Sequence, residues 1–226
     1  MIWDIGKPFR RDGRLSTPPD QIWLYHITHV DNLAAIVQAG GLRSDAQMRQ
    51  GHVTPKIIGY DHIKDRRLGL PVGCHAGTTV GEYVPFYFCP RSAMLYVISK
   101  GNNDLTYKEG QESIVHLVAN MYDVVDWAVK QQVRWAFSTS NAGSKLADFF
   151  NDLGELKEIN WDAVNAHQWR ECREEKQAEF LVQQTFPLAL FRYAATMSDN
   201  IRCKANQFFS QMDNPPIVTV QRDWYY

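Results

Sequence analysis

The chain has 226 residues, of which 45% are hydrophobic and 12% aromatic, enough to bury a substantial core in one domain over residues 1–226. A formal net charge of −1 excludes a protein that coats nucleic acid nonspecifically, and no apolar run is long enough to span a bilayer. The start Met1-Ile2-Trp3-Asp4 lacks the basic region and apolar run of a signal peptide, so a cytoplasmic protein is expected, and the scattered Cys74, Cys89, Cys172 and Cys203 and the histidine spacing suggest neither a disulfide framework nor a metal site.

In chain order, Ile22 to His26 reads as a strand, followed by a helix from about Val30 to Ala39 with Val30, Leu33, Ala34 and Val37 at helical spacing and Gly40-Gly41 as its stop. Residues 44–81 are polar and glycine-rich, with one helical segment predicted at Tyr60 to Leu68, as in a long functional loop. Val84 to Cys89 is apolar and aromatic without polar alternation, which fits a strand covered on both faces. Ser92 is placed to cap a helix reaching Ser99, with Gly101 to end it. Between them Pro90-Arg91 forms a rigid cationic corner beside aromatic rings, which suits a nucleotide or a single-stranded nucleic acid; the plainer reading is a strand, turn and helix of the core with one surface arginine.

Further strands are predicted at 113–119, 133–137, 178–183, 191–196 and 217–221, and helices at 121–130, 141–152 and 199–212. The alternation is irregular and no Gly-x-Gly-x-x-Gly follows a strand, so the fold class is α+β, with split antiparallel sheets and flanking helices, rather than doubly wound. Basic residues Arg43, Arg49, Lys56, Lys64, Arg66 and Arg67 cluster early, whereas acidic residues crowd 148–175. A local basic patch is therefore compatible with a neutral chain.

Four blocks carry a family likeness, in order: Tyr25-His26-Ile27-Thr28-His29-Val30-Asp31-Asn32-Leu33 with Gly40 and Leu42; Val84 to Tyr96; Lys176-Gln177-Ala178-Glu179-Phe180-Leu181-Val182; and Arg222-Asp223-Trp224-Tyr225-Tyr226. Co-linear across the chain, they resemble DarT, the toxin of DarT–DarG toxin–antitoxin systems, whose members move ADP-ribose from NAD onto a base of single-stranded DNA. The resemblance implies an ADP-ribosyltransferase-like fold, NAD as co-substrate, no metal, single-stranded DNA as substrate, and a DarG-like macrodomain antitoxin with ADP-ribosyl hydrolase activity.

Residue by residue, the resemblance gives Glu179 the role of catalytic glutamate. In the strand from Ala178, Glu179 shares a face with Leu181, and a carboxylate there is either on a solvated face or at a site. His26, Ile27, Thr28, Ala35 and Arg43 match positions that line NAD. Arg67 matches an arginine that acts in catalysis and at the cofactor, although its charge run Lys64-Asp65-Arg66-Arg67 on its own reads as a solvated helix face. Arg91, Ser92, Ala93, Met94, Leu95 and Tyr96 match a DNA-contacting stretch. The segment 131–178 stands where ADP-ribosyltransferases carry their substrate-choosing loop, and its Trp169, Arg170 and Arg173 are expected to hold DNA by stacking and charge. Ala93 stands where relatives often have proline, and the loop at Trp169 is shorter than theirs, so the DNA motif does not transfer. Modification of guanine or RNA, and a noncatalytic binding module, remain open alternatives.

Overall fold

The architecture follows from one imperfect strand junction. The computed structural model describes residues 17–51 and 55–226, so the reading of Met1 to Asp4 falls outside the described residues. In chain order it contains β1 (Trp23–His29), α1 (Leu33–Gln38), β2 (Gly41–Arg43), α2 (Asp45–Gln50), α3 (Asp61–Arg67), β3 (Tyr83–Tyr87) and α4 (Ala93–Ser99). β4 (Ile114–Asn120), α5 (Met121–Gln131), β5 (Trp135–Ser138), β6 (Phe149–Phe150), α6 (Trp161–Asn165) and β7 (Glu179–Gln183) follow. The chain continues through β8 (Thr185–Pro187), β9 (Phe191–Thr196), α7 (Asp199–Phe209) and β10 (Ile217–Val220).

Eight strands form a sheet in the order β10-β9-β4-β1-β3-β7-β5-β6, with only β10 and β9 parallel, while β2 and β8 form a separate antiparallel pair. β1 and β4 pair along their full length, and β3 and β7 likewise, yet β1 meets β3 only at Tyr25↔Tyr87. Pro85 explains the break. It has no N–H to give the ladder, and its carbonyl is taken instead by the His26 ring at 2.9 Å. The sheet is thus split in function into two halves joined at a seam, as expected for the fold class, although its strands remain in one hydrogen-bonded order.

Each half is buried by alternation. On β4, Val115, Leu117 and Ala119 join α5 and α7 in the main core, where Met121, Val124 and Val125 recur at helical spacing. The opposite face is covered by α4 through Leu95 and Ile98, with Ile27, Ile114 and Tyr225. On β7, Phe180 and Val182 enter the main core whereas Leu181 packs with Val72, Val80, Tyr83 and Ala142, so the face that carries Glu179 is closed by the 72–83 segment and the 142 turn.

Gly40, at φ +72°, ends α1 as expected, and Gly41 follows because β2 passes so close to β8 that a Cβ there would stand 2.1 Å from the Phe186 carbonyl oxygen. The helix expected at 141–152 does not form. Asn141 turns its side chain onto the Gly143 N–H and bonds Gln177, and the Ala142 N–H goes to a distant carboxylate, so these backbone groups have better partners than a helix offers. α2, capped by Ser44, was hidden in the polar stretch, and β6 and β8 are too short to leave a periodic signal.

His116 is fully buried beneath the Pro90 corner; its Nε2–H donates to the Pro90 carbonyl at 2.9 Å, and burial pushes its pKa down to about 4. The folded chain therefore refuses a proton that the unfolded chain accepts below pH ~6.5, so this contribution to stability is full above that pH and declines toward pH 4. Urea unfolding at pH 7 and pH 5 should show His116 alone costing about 2 kcal/mol on acidification, a loss that His116→Gln removes. Equal pH dependence in the two proteins would contradict it.

Candidate active site

Two cavities meet at the seam. The first, about 570 Å³, is walled by β1, α1, β2 and the 55–59 segment and is lined by His26, Ile27, Thr28, Ala35 and Arg43, all expected at the cofactor. His26 is held by chemistry rather than by packing alone. Because the Pro85 carbonyl can only accept, Nδ1 carries the proton, and burial lowers the ring's pKa, assisted by Lys64, so that the neutral ring keeps Nε2 as an acceptor. Thr28 accepts a hydrogen bond from Asn32 at 3.1 Å, which leaves its own hydroxyl proton to donate. Asn32 also bonds both backbone groups of Lys56, at 2.7 and 3.0 Å, and so seats the 55–59 wall against the pocket.

The second cavity is an open groove of about 1420 Å³ that contains Arg67 and Glu179. Glu179, at the start of β7, is 3% exposed, and Arg67, at the end of α3, is 9% exposed. The guanidinium grips the carboxylate with both arms, at 3.2 and 2.8 Å, and the Ala142 N–H donates to the same carboxylate at 3.0 Å. The Ser138 hydroxyl accepts from the Glu179 N–H at 3.2 Å and fixes the strand end. Burial alone would disfavour the charge on Arg67, but the Glu179 carboxylate outweighs it and raises the guanidinium pKa. Arg67 is a fixed cation here. Arg67 lines the groove and is not among the residues lining the first cavity.

Tyr25, Tyr87 and Glu179 are in register across three strands and share one face. Tyr87 is kept protonated, its pKa raised by burial and then by Glu179. Together with Pro85, Met94 and Lys64 it lines both cavities, so the two share one wall. Lys64 and Asp45 pair at 2.9 Å at this junction. In the sequence Lys64 carries no signal beyond its membership of the early basic cluster, and Tyr87 reads as one more aromatic of a buried strand.

Of the stretch expected at DNA, Arg91, Ala93, Met94 and Tyr96 line the groove, and so do Trp169, Arg170 and Arg173. Ser92 and Leu95 do not. Ser92 is buried as the cap of α4, accepting from the Leu95 N–H at 3.2 Å, and Leu95 is buried in the core beneath. They shape the corner from within. Among the described residues no three His, Cys, Asp or Glu side chains gather to hold a metal ion, and no helix is long and apolar enough to cross a membrane.

A seam that joins the cavity of His26 and Thr28 to a groove with one clamped glutamate fits the ADP-ribosyltransferase class that the sequence blocks imply. The chain belongs to the DarT family: the family model described as ssDNA thymidine ADP-ribosyltransferase, DarT, matches residues 25–226. It is 38% identical over 215 residues to the DNA ADP-ribosyl transferase of Thermus sp. (strain 2.9), covering 93% of this chain and 99% of that one. Among solved structures it is similar to Thermus sp. 2.9 DarT in complex with ADP-ribosylated ssDNA, with TM-score 0.84, 36% identity and coverage of 93% and 99%. The same Thermus protein in complex with NAD+ matches with TM-score 0.77 at 34% identity, covering 93% of this chain and all of that one. The enzyme class is thus that of the NAD-dependent DNA ADP-ribosyltransferases.

Proposed function

We propose that the protein transfers ADP-ribose from NAD to N3 of a thymine within a short motif of single-stranded DNA, acting as a cytoplasmic toxin that blocks replication and is countered by a DarG-like macrodomain antitoxin. The observation that carries this reading is the buried, doubly clamped Glu179 in a groove that shares Tyr87, Met94 and Lys64 with the pocket of His26 and Thr28. The relative's complexes with NAD+ and with ADP-ribosylated ssDNA support the substrate pair.

In this reading NAD occupies the first cavity, with His26 Nε2 and the Thr28 hydroxyl turned to its ribose and amide groups and Ala35 and Arg43 along its length. The glycosidic bond breaks and nicotinamide leaves with the bonding electrons, which builds oxocarbenium character on the ribose. Glu179 stabilises that charge through the ribose 2-hydroxyl. The thymine N3 forms the new bond to the anomeric carbon and loses its proton. Arg67 cannot take that proton, because a guanidinium with an elevated pKa has no acceptor to offer. Its part is to hold Glu179 and to stabilise the anionic base, whose proton passes to the carboxylate or to water.

The test is intact-mass analysis of a thymine-containing single-stranded oligonucleotide after incubation with protein and NAD, with duplex DNA and RNA in parallel. One ADP-ribose increment on the single strand alone, located on thymine by fragmentation, is expected. An increment on guanine or on RNA would replace the substrate in this reading, and none on any nucleic acid would overturn it.

A further inference from the structure

The closing segment Arg222-Asp223-Trp224-Tyr225-Tyr226 has no part in the chemistry above, yet it is built into the groove. Tyr225 is buried and its hydroxyl donates to the Ile114 carbonyl at 2.8 Å, while the Trp224 ring stands edge-on to Tyr25 at 5.3 Å. These two anchor the segment. Tyr226 is then fixed from several directions: its N–H donates to Gln111 at 3.0 Å, its hydroxyl donates to the Arg91 carbonyl at 3.0 Å, and Trp169 Nε1 donates to that hydroxyl at 3.3 Å. The Arg91 guanidinium lies 4.2 Å from the Tyr226 ring centre, and the Tyr96 ring meets Tyr226 edge-on at 5.0 Å and Trp169 at 5.3 Å.

The Tyr226 ring, with the Arg91 guanidinium over it, and the rings of Tyr96 and Trp169, each partly open, thus come together from distant parts of the chain. All four residues line the same groove as Arg67 and Glu179, with Arg170 and Arg173 beside them. Tyr96, at 36% exposed, packs edge-on to both other rings and still leaves part of its own ring open to the groove. Aromatic faces left open within a cationic groove fit an unpaired base, whose flat surface stacks while its phosphates meet the arginines. The rigidity matters too. A ring already fixed by hydrogen bonds loses little freedom when a base settles on it.

We propose that Tyr226, with Tyr96 and Trp169, forms a stacking site for the unpaired base that flanks the modified thymine. This inference rests on the single-stranded DNA reading above. Its test uses the whole protein with a short single-stranded oligonucleotide containing one thymine, and derivatives with an abasic residue at each neighbouring position. Tyr226→Ala should raise KM for the oligonucleotide about tenfold or more, while KM for NAD stays within about twofold and Tyr226→Phe stays within about threefold of the wild type. One flanking abasic substitution should weaken the wild type by a similar factor and leave Tyr226→Ala no worse. Tyr96→Ala should repeat the pattern, which keeps the inference testable if Tyr226→Ala does not fold. Equal losses in Phe and Ala variants, a parallel rise in KM for NAD, or abasic sensitivity equal in wild type and variant would overturn it. A wild type that modifies no oligonucleotide would sink the DNA reading itself; a wild type that does, with an unchanged Tyr226→Ala and Tyr96→Ala profile, sinks this inference alone.

Discussion

Glu179→Gln should lower the rate of ADP-ribose transfer by about 10²–10³-fold, the usual effect of removing one electrostatic stabiliser of a developing charge. The substitution keeps the shape of the side chain, and its one remaining oxygen still accepts from the Ala142 N–H and from one arm of Arg67, while the amide NH2 leaves the other arm without an acceptor. What also disappears is the negative charge, which is the property the oxocarbenium needs. The loss should fall on kcat with KM for NAD nearly constant, because His26, Thr28, Ala35 and Arg43 in the first cavity are untouched. On the toxin reading, expression of the wild type should slow cell growth and expression of Glu179→Gln should not. Transfer at more than a few per cent of the wild-type rate by intact-mass assay would remove Glu179 from its assigned role.

Much of this site could be read before the fold was known, and the exceptions have physical causes. The strand at 178–183 and the capped helix after Ser92 were legible because their signals are local: alternation in the first, a serine before an apolar run in the second. The family likeness pointed to Glu179, but nothing local said that its carboxylate would be buried. Arg67 is the sharper case. Its charge run looks solvated, and its burial comes from a partner 112 residues away, a distance that no periodicity reaches. Pro85 was visible as a proline in an apolar run, yet its consequence, the seam, depends on β1 being the neighbouring strand, which is topology. The helix expected at 141–152 failed for the same reason, since Asn141 and Ala142 answer to Gln177 and Glu179.

The Arg67–Glu179 pair should behave as a single unit when it is taken apart. Arg67→Ala leaves a buried carboxylate facing only the Ala142 N–H, and breaking a buried pair in this way costs about 3–5 kcal/mol of stability. Arg67→Lys keeps a positive charge but offers a point donor in place of the two-armed grip at 3.2 and 2.8 Å. Its stability should therefore fall between the wild type and Arg67→Ala. The double variant Arg67→Met, Glu179→Gln removes both charges and keeps most of the volume, so it should recover a large part of what Arg67→Ala loses. Urea unfolding of the double variant beside Arg67→Met and Glu179→Gln alone measures the coupling, and losses that add in the double variant would mean that the two side chains do not depend on each other. Transfer rates divide the chemical roles: if Arg67 acts only as a nearby positive charge, Arg67→Lys retains most of kcat, whereas a role in fixing the carboxylate's orientation makes Arg67→Lys nearly as slow as Arg67→Ala. The bidentate geometry favours the second outcome, because one ammonium cannot reproduce a planar fork that holds both carboxylate oxygens at once.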